Sequence, residues 1–295
     1  MVSFVNAKIN IGLNVVARRD DGYHELESVF YPIGIFNGTP ENPEPFCDIL
    51  EIIPSEKDEF IFTGNPIDCP LEKNLVFKAL QSFRNELELK HPGQIPTCIK
   101  VNLAKHIPDG AGMGGGSADA TFTLKMLNRI EGEPFQDREL KEMAKRLGAD
   151  CSFFIENKPA YVTGIGEKTE PVENVLAGYW AVVAKPDVYV STKEAFAGIV
   201  PKPAVIDLRE TIKLPVALWK EAGIKNDFER SIFAKHPELE ILKETLYETG
   251  ALYASMSGSG SSIYGLFPEK TTAERVYQEL KKGEAEGMRS YLCKL

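Results

Sequence analysis

Five glycines stand within seven residues, Gly110 to Gly116, in the stretch 108–120 that reads PDGAGMGGGSADA, and Met113 is the only large side chain among them. Glycine allows a positive φ and lets a ligand approach the backbone amides. A helix start adds unpaired N–H groups and a partial positive charge. Together they make a seat for phosphate. An ordinary surface loop carries mixed polar punctuation, which this stretch lacks. Two other places could hold reactive groups. Lys8, Asn10, Gly12 and Asn14 share one side of an alternating stretch whose other side is Ile9, Ile11, Leu13 and Val15. That polar side is either a solvated sheet face or the lining of a polar site in which Gly12 leaves room. Asp150 follows Gly148, at the end of a helical pattern, and stands at the edge of the apolar run 151–155. A carboxylate there faces the unfavourable end of the helix dipole, so it is either a turn aspartate or a functional one.

These groups need elements to hold them. Residues 4–17 read as a strand, and the turn chemistry of residues 18–23 leads into a second strand over 24–36. Residues 37–45 read as a loop, and 48–53 with 59–63 as a hairpin. Asn74 can cap a helix in which Val76, Ala79, Leu80, Phe83 and Leu87 recur at helical spacing. Ile99, Val101 and Leu103 alternate, which is a strand. The glycine stretch follows, and then Phe122, Leu124, Leu127 and Ile130 lie on one side of a helix. Asp137 caps a helix with Leu140, Met143, Ala144 and Leu147 on its apolar side. Beyond about residue 155 come short strands and turns. They include 159–163 and 168–172 around the turn GIGE, strands at 179–185, 252–256, 262–267 and 291–295, and helices at 238–249 and 271–282. Ser191 or Thr192 caps a short helix containing Phe196, and residues 200–226 are poorly patterned. Strand–helix–strand units with antiparallel signals predict an α+β layer.

Composition narrows the function classes. A chain of 295 residues accommodates two domains, and 43% hydrophobic with 26% charged residues is an ordinary globular composition. The net charge of −9 removes any general attraction for nucleic acid or anionic membranes, so phosphate must be bound locally. Cys47, Cys69, Cys98, Cys151 and Cys293 are odd in number and dispersed, which argues against a disulfide framework or a zinc site and for a reducing compartment. Asn6, Lys8, Asn10 and Asn14 interrupt the N-terminal stretch, unlike a signal-peptide core. The expectation is a cytoplasmic protein.

Three phosphate-binding patterns compete for the glycine stretch. No lysine follows the glycines, so a Walker loop fails. Gly110, Gly112 and Gly115 satisfy the dinucleotide spacing, but strand and hairpin signals precede them where that motif would open the first βαβ unit. The H-R-D and D-F-G segments of protein kinases are missing. The chain instead resembles the GHMP kinase superfamily in three motifs: VNAKINIGL at 5–13, the glycine stretch, and SMSGSGSSIYGLF at 255–267. RRDDGYHELESVF at 18–30 and LGADCSFF at 147–154 resemble the branch that phosphorylates a cytidine-diphosphate-linked methylerythritol with ATP. The resemblance covers nearly the whole chain and is thin over 37–70 and 200–250.

That resemblance implies an α+β, two-domain GHMP-kinase-like architecture. A ribosomal-protein-S5-like N-terminal domain, residues 1–155, would hold the ATP phosphate loop. A ferredoxin-like α/β layer domain, residues 156–295, would contribute to the substrate site. The implied reaction transfers phosphate from ATP, with Mg²⁺, to the 2-hydroxyl of the substrate, in the non-mevalonate isoprenoid route. Asp150 matches the catalytic aspartate and Lys8 its partner cation. Pro108, Asp109, Gly110, Ala111, Gly112, Met113, Gly114, Gly115, Gly116, Ser117 and Ala118 would hold ATP, with Ser117 near the metal. Asp109 would turn its carboxylate away. Ala118 stands where the family has a second serine, and Met113 where it has leucine. Asn74 would reach the adenine side, or act only as a helix cap. Asn10 would bond the polyol. Tyr23, His24 and Phe196 would read the cytidine, Phe196 being equally placed as a core residue, and Thr192 would touch the substrate or cap its helix. Gly258 and Gly260 would lie beside the diphosphate or form a tight hairpin. The implied partner is that small molecule, with neither nucleic acid nor membrane, and the implied assembly a monomer or weak homodimer. Two other readings stay open: a GHMP kinase for mevalonate or homoserine, and a nucleotide-binding sensor without turnover.

Overall fold

The alternating N-terminal stretch forms two strands, β1 (Val2–Val5) and β2 (Ala7–Arg18), which go to different sheets. This computed structural model describes residues 1–34, 46–67, 69–282 and 287–295. The loop expected over 37–45 lies outside them. The chain clusters into two units that interleave in sequence. One comprises Met1–Ala7, Cys47–Asp109 and Gly114–Lys158, the other Lys8–Phe46, Gly110–Met113 and Pro159–Leu295. A single cut near residue 155 falls beside the Lys158–Pro159 boundary but leaves out the two earlier segments that cluster with the C-terminal half.

In the first unit β4 (Asp48–Pro54), β5 (Glu59–Gly64) and β6 (Ile99–Lys105) join β1 in the order β1-β4-β6-β5. The expected hairpin of β4 with β5 does not form. β6 lies between them, antiparallel to β4 with Ile52 opposite Val101 and parallel to β5 with Phe60 opposite Val101. The reason is burial. Ile99, Val101 and Leu103 are enclosed and need a neighbour on each side, whereas β5 exposes Ile61 as an edge strand. α1 (Leu75–Lys90) makes the crossover that parallel pairing requires. Its cap is Asn74, whose side chain accepts the Val76 N–H at 2.8 Å, and its buried face is the five residues expected.

α2 (Gly115–Ile130) is enclosed on most sides, not on one apolar stripe, and Phe122 and Ile130 are only half-buried. Its buried Thr121, Thr123 and Asn128 therefore find partners in the backbone. The Thr121 hydroxyl lies 2.9 Å from Ser117 O and 2.8 Å from Cys151 O, and Asn128 exchanges two bonds with the backbone of Phe135. α3 (Asp137–Leu147) is capped by Gln136, in a box with Glu139, one residue before the cap expected. α4 (Phe153–Glu156) follows as a single buried turn.

In the second unit β2 pairs with β3 (His24–Ile33), then β7 (Ala160–Thr163) and β8 (Lys168–Pro171). Another sheet holds β9 (Trp180–Lys185), β10 (Tyr253–Met256), β11 (Ile263–Phe267) and β12 (Arg289–Lys294), all antiparallel, in the order β10-β11-β9-β12. With α8 (Pro237–Glu248) before β10 and α9 (Lys270–Lys281) before β12, the chain follows the ferredoxin-like split βαβ arrangement. Leu239 and Leu246 of α8, and Ala273, Val276 and Leu280 of α9, share a core with Val182, Ala254, Ile263 and Phe267. Between β9 and α8 lie α5 (Thr192–Ala197), the short helix expected around Phe196, then α6 (Leu208–Thr211) within the poorly patterned stretch 200–226, and α7 (Glu229–Phe233) after it. No helix among the described residues is long and apolar enough to cross a membrane.

Candidate active site

The glycine stretch connects β6 to α2. Gly114 takes the N-cap position with φ +71, a left-handed conformation that disfavours any side chain. Gly112 is required for a second reason: a Cβ there would stand 2.0 Å from Ser257 O. The first turn of α2 leaves amides without intrahelical partners, and the Ala118 N–H is the first to close back, onto Gly114 O at 2.9 Å. Ala118 is wholly enclosed and its amide is committed, so among the expected phosphate contacts it has nothing to offer. Ser117 faces the Cys151 thiol, which burial pushes up to about 12 and so keeps inert.

A cavity of about 130 Å³ opens in the first unit. Asn74, Leu75 and Val76 line it from α1, Leu103 and Lys105 from β6, and Asp109 and Gly116 from the glycine stretch. Asp109 borders this cavity as part of the glycine stretch. Asp119 of α2 lines it too, and with Lys105 and Asp48 makes a buried cluster. Burial works against the Lys105 charge, but the two carboxylates outweigh it and hold the ammonium above the ordinary lysine range. Burial, helped by Asp48, raises Asp119 despite the lysine.

In the second unit the polar side of β2 is not solvated. Lys8 is 3% exposed, and Asn10 and Asn14 are buried too. The Lys8 ammonium donates to Asn10 Oδ1 at 2.5 Å and to Gly112 O at 3.2 Å, and sits 4.5 Å from the centre of the Phe30 ring. Asn10 donates on to the Ser28 hydroxyl at 2.9 Å, which donates to Gly12 O at 2.6 Å. Gly12 leaves no room for a ligand, because Leu208 and Ile224 occupy the space where its Cβ would be. Ser257 donates to Gly112 O at 2.9 Å and stands 3.3 Å from the Asn10 N–H. Gly258 and Gly260 follow. A Cβ on Gly258 would crowd Gly112 O at 3.0 Å, and one on Gly260 the Met256 sulfur at 2.7 Å. Gly258 thus lets the third motif pack on the glycine stretch, and Gly260 lets the motif turn tightly over its own Met256. Asn226 holds the turn by donating to Met256 O and Gly258 O, both at 2.8 Å.

His24 and Phe196 come together as a stacked pair, 4.7 Å between centroids and 20° between planes, with Phe196 edge-on to Phe228. Tyr23 is 59% exposed on the turn before β3. Ser191, not Thr192, caps α5, accepting the Glu194 N–H at 3.1 Å, and Thr192 is the first helical residue. Asp150 lies half-buried between α3 and α4, after the Gly148 cap. Two bonds from α2 position its neighbours, Thr121 to Cys151 O and Lys125 to Ile155 O at 3.1 Å.

Within the second unit the structure therefore gathers Lys8, Asn10, Gly112 and Gly258, and separately pairs His24 with Phe196. Within the first, Asn74, Asp109 and Gly116 share one cavity. Lys8 clusters with the second unit and Asp150 with the first. Sequence reasoning missed Lys105 with its two carboxylates, Asn226, Ser28 and Ser257. Lys105 had a signal: it continues the enclosed positions Ile99, Val101 and Leu103 at the same spacing.

Residues 74–157 match the model of the GHMP kinases N terminal domain, and residues 216–285 that of the GHMP kinases C terminal domain. The chain is 49% identical to the 4-diphosphocytidyl-2-C-methyl-D-erythritol kinase of Parabacteroides distasonis, over 92% of this chain and 93% of that one. It is 42% identical to the kinase of that name from Porphyromonas gingivalis, over 93% and 95%. A crystal structure of 4-(cytidine 5'-diphospho)-2C-methyl-D-erythritol kinase superposes with a TM-score of 0.74 at 29% identity, covering 99% of this chain and 98% of that one. A homoserine kinase from Cytophaga hutchinsonii shares the fold at TM-score 0.66 and 20% identity, over 100% and 95%.

Proposed function

The chain belongs to the 4-diphosphocytidyl-2-C-methyl-D-erythritol kinase family of the GHMP kinases, and we propose from that premise that it transfers the γ-phosphoryl group of ATP to the 2-hydroxyl of 4-diphosphocytidyl-2-C-methyl-D-erythritol. The observation that carries the reading is the Lys8 ammonium, buried and bonded at once to Asn10 on its own strand and to Gly112 of the glycine stretch. A buried cation at a loop suited to phosphate is the equipment phosphoryl transfer requires, since positioning and charge stabilisation supply most of the rate.

In this mechanism the amides of the glycine stretch and the first turn of α2 hold the ATP phosphates, and the cavity beside Asn74 takes the base. Asp150 accepts the proton of the attacking hydroxyl. Lys8 stabilises the alkoxide that forms, and Asn10 orients the polyol while keeping Lys8 in place. His24 and Phe196 open to admit the cytosine, with Tyr23 covering its other face. Mg²⁺ neutralises phosphate charge when bound. No group of three or more His, Cys, Asp or Glu among the described residues is arranged as a cage for it. Ser117, in the first turn of α2, would be the protein donor to the ion. We place the enzyme in the cytoplasm, as a monomer or weak homodimer, with residues 156–295 contributing to the substrate site.

The test is ADP release from ATP and Mg²⁺ with 4-diphosphocytidyl-2-C-methyl-D-erythritol, run beside mevalonate and homoserine. Release with the cytidylyl compound alone is expected. Release with an uncytidylated alcohol would move the enzyme to another branch of the superfamily. ATP binding without turnover would make it a sensor.

A further inference from the structure

Lys105 ends β6 on the same side as Ile99, Val101 and Leu103 and is as deeply enclosed as they are. A buried ammonium demands partners. It has Asp48, at the start of β4, and Asp119, in the second turn of α2, the latter at 2.8 Å. Asp48 is committed further: its other oxygen accepts the N–H groups of His106 and Ile107 at 2.6 and 2.7 Å. These are the first residues after β6, where the chain leaves the sheet for the glycine stretch. On the far side, Gly115 lies directly over the ammonium, since a Cβ there would stand 2.9 Å from Lys105 Nζ. The second oxygen of Asp119 is buried without a hydrogen-bond partner among the described residues. One cluster thus grips the chain at both ends of the loop.

We propose that Asp48, Lys105 and Asp119 are positioning residues for phosphoryl transfer, a buried clamp that holds the exit of β6 and the entrance of α2 at the separation the ATP phosphates require. The clamp rests on the reading that residues 108–117 seat ATP. An ionic cluster is a poor source of stability compared with apolar packing of the same volume. Its effect here is geometric: two carboxylates on one cation set the distance between a strand end and a helix start. None of the three residues touches the reacting atoms.

Asp119→Ala is the informative variant, because Lys105 keeps Asp48 and no buried charge is stranded. The measurements are KM for ATP, KM for 4-diphosphocytidyl-2-C-methyl-D-erythritol, and amide hydrogen exchange across residues 106–117 without ligand. The expected result is a KM for ATP raised about tenfold or more, with faster loop exchange and an unchanged acceptor KM. Asp119→Asn, which keeps an oxygen for Lys105, restores both values. If the alanine protein fails to fold, Asp119→Ser serves, being too short to reach Lys105. A lower melting temperature with exchange and KM for ATP both unchanged would overturn the clamp, as would an equal rise in both KM values or failure of the asparagine variant to restore them. Faster exchange with unchanged KM for ATP upholds the grip on the loop and removes ATP from it, so the two failures are told apart.

Discussion

Replacing Gly116 by alanine should make the protein more stable and a worse kinase. Gly116 sits in the first turn of α2, and beyond its own helix turn the atom among the described residues that a Cβ would meet within 4 Å is Leu75 Cδ1, at 3.8 Å. Alanine therefore enters without collision and removes the entropy penalty of a helical glycine, about 0.5–1 kcal/mol. In a chain of this size that raises the melting temperature by roughly 1–3 °C. The same methyl narrows the cavity of about 130 Å³ that Gly116 lines with Asn74 and Asp109. Crowding a bound ligand by one methyl costs about 1–3 kcal/mol, which is roughly a 5- to 150-fold rise in KM for ATP. Calorimetry gives the first quantity and ADP release at saturating acceptor the second. Gly115→Ala is the control: its Cβ would press on Ile107 Cγ2 and Lys105 Nζ, both at 2.9 Å, and should lower the melting temperature. A Gly116→Ala protein that melts higher but keeps its KM for ATP would refute the assignment of this cavity to the nucleotide.

Asp150→Asn should retain ATP binding, measured by calorimetric titration, and lose about 10²–10⁴ in kcat, the range for a positioned general base; near-wild-type turnover would take Asp150 out of the proton transfer. Phe196→Ala removes the ring stacked on His24 and should raise KM for the cytidylyl acceptor by about 1–3 kcal/mol, the range for base stacking on an aromatic side chain, leaving KM for ATP alone; an unchanged acceptor KM would return Phe196 to the core. Gly112→Ala forces a side chain to within 2.0 Å of Ser257 O at φ +74, so a fall in the denaturation midpoint is expected, and unaltered stability would mean that the two loops do not pack as described.

The local signals were legible because they are complete within a few residues. Asn74 announces its helix by cap and spacing, and the cap bond and five buried apolar residues follow. The strands β7 and β8 around GIGE, and β10 and β11 around SGSGS, are hairpins whose turns are written between them. The seat in the glycine stretch needs only glycines at a helix start. Pairing between β4 and β5 was misjudged because adjacency in sequence favours a hairpin, while the strand that separates them arrives after a whole helix. The burial of α2 on most sides was missed because Thr121, Thr123 and Asn128 read as polar surface until their backbone partners are known.

By itself the sequence determined the α+β class and the family, since each depends on residue identity at short spacing, and it is the source of the proposal that the glycine stretch holds phosphate and that Lys8 and Asp150 are the reactive groups. Only the tertiary structure decided which partners the buried polar groups take. Lys8 finds Gly112 across 104 residues, Lys105 finds Asp48 across 57, and Asn10 meets Ser257 across 247. A buried charge or amide must be satisfied by whatever the fold brings beside it, and periodicity within one element carries no record of that neighbour. Of the two readings open for the polar face of β2, the solvated one fails and the face is a buried network for this reason, and Gly258 of the third motif serves close packing on Gly112, a requirement visible only once the two loops are in contact.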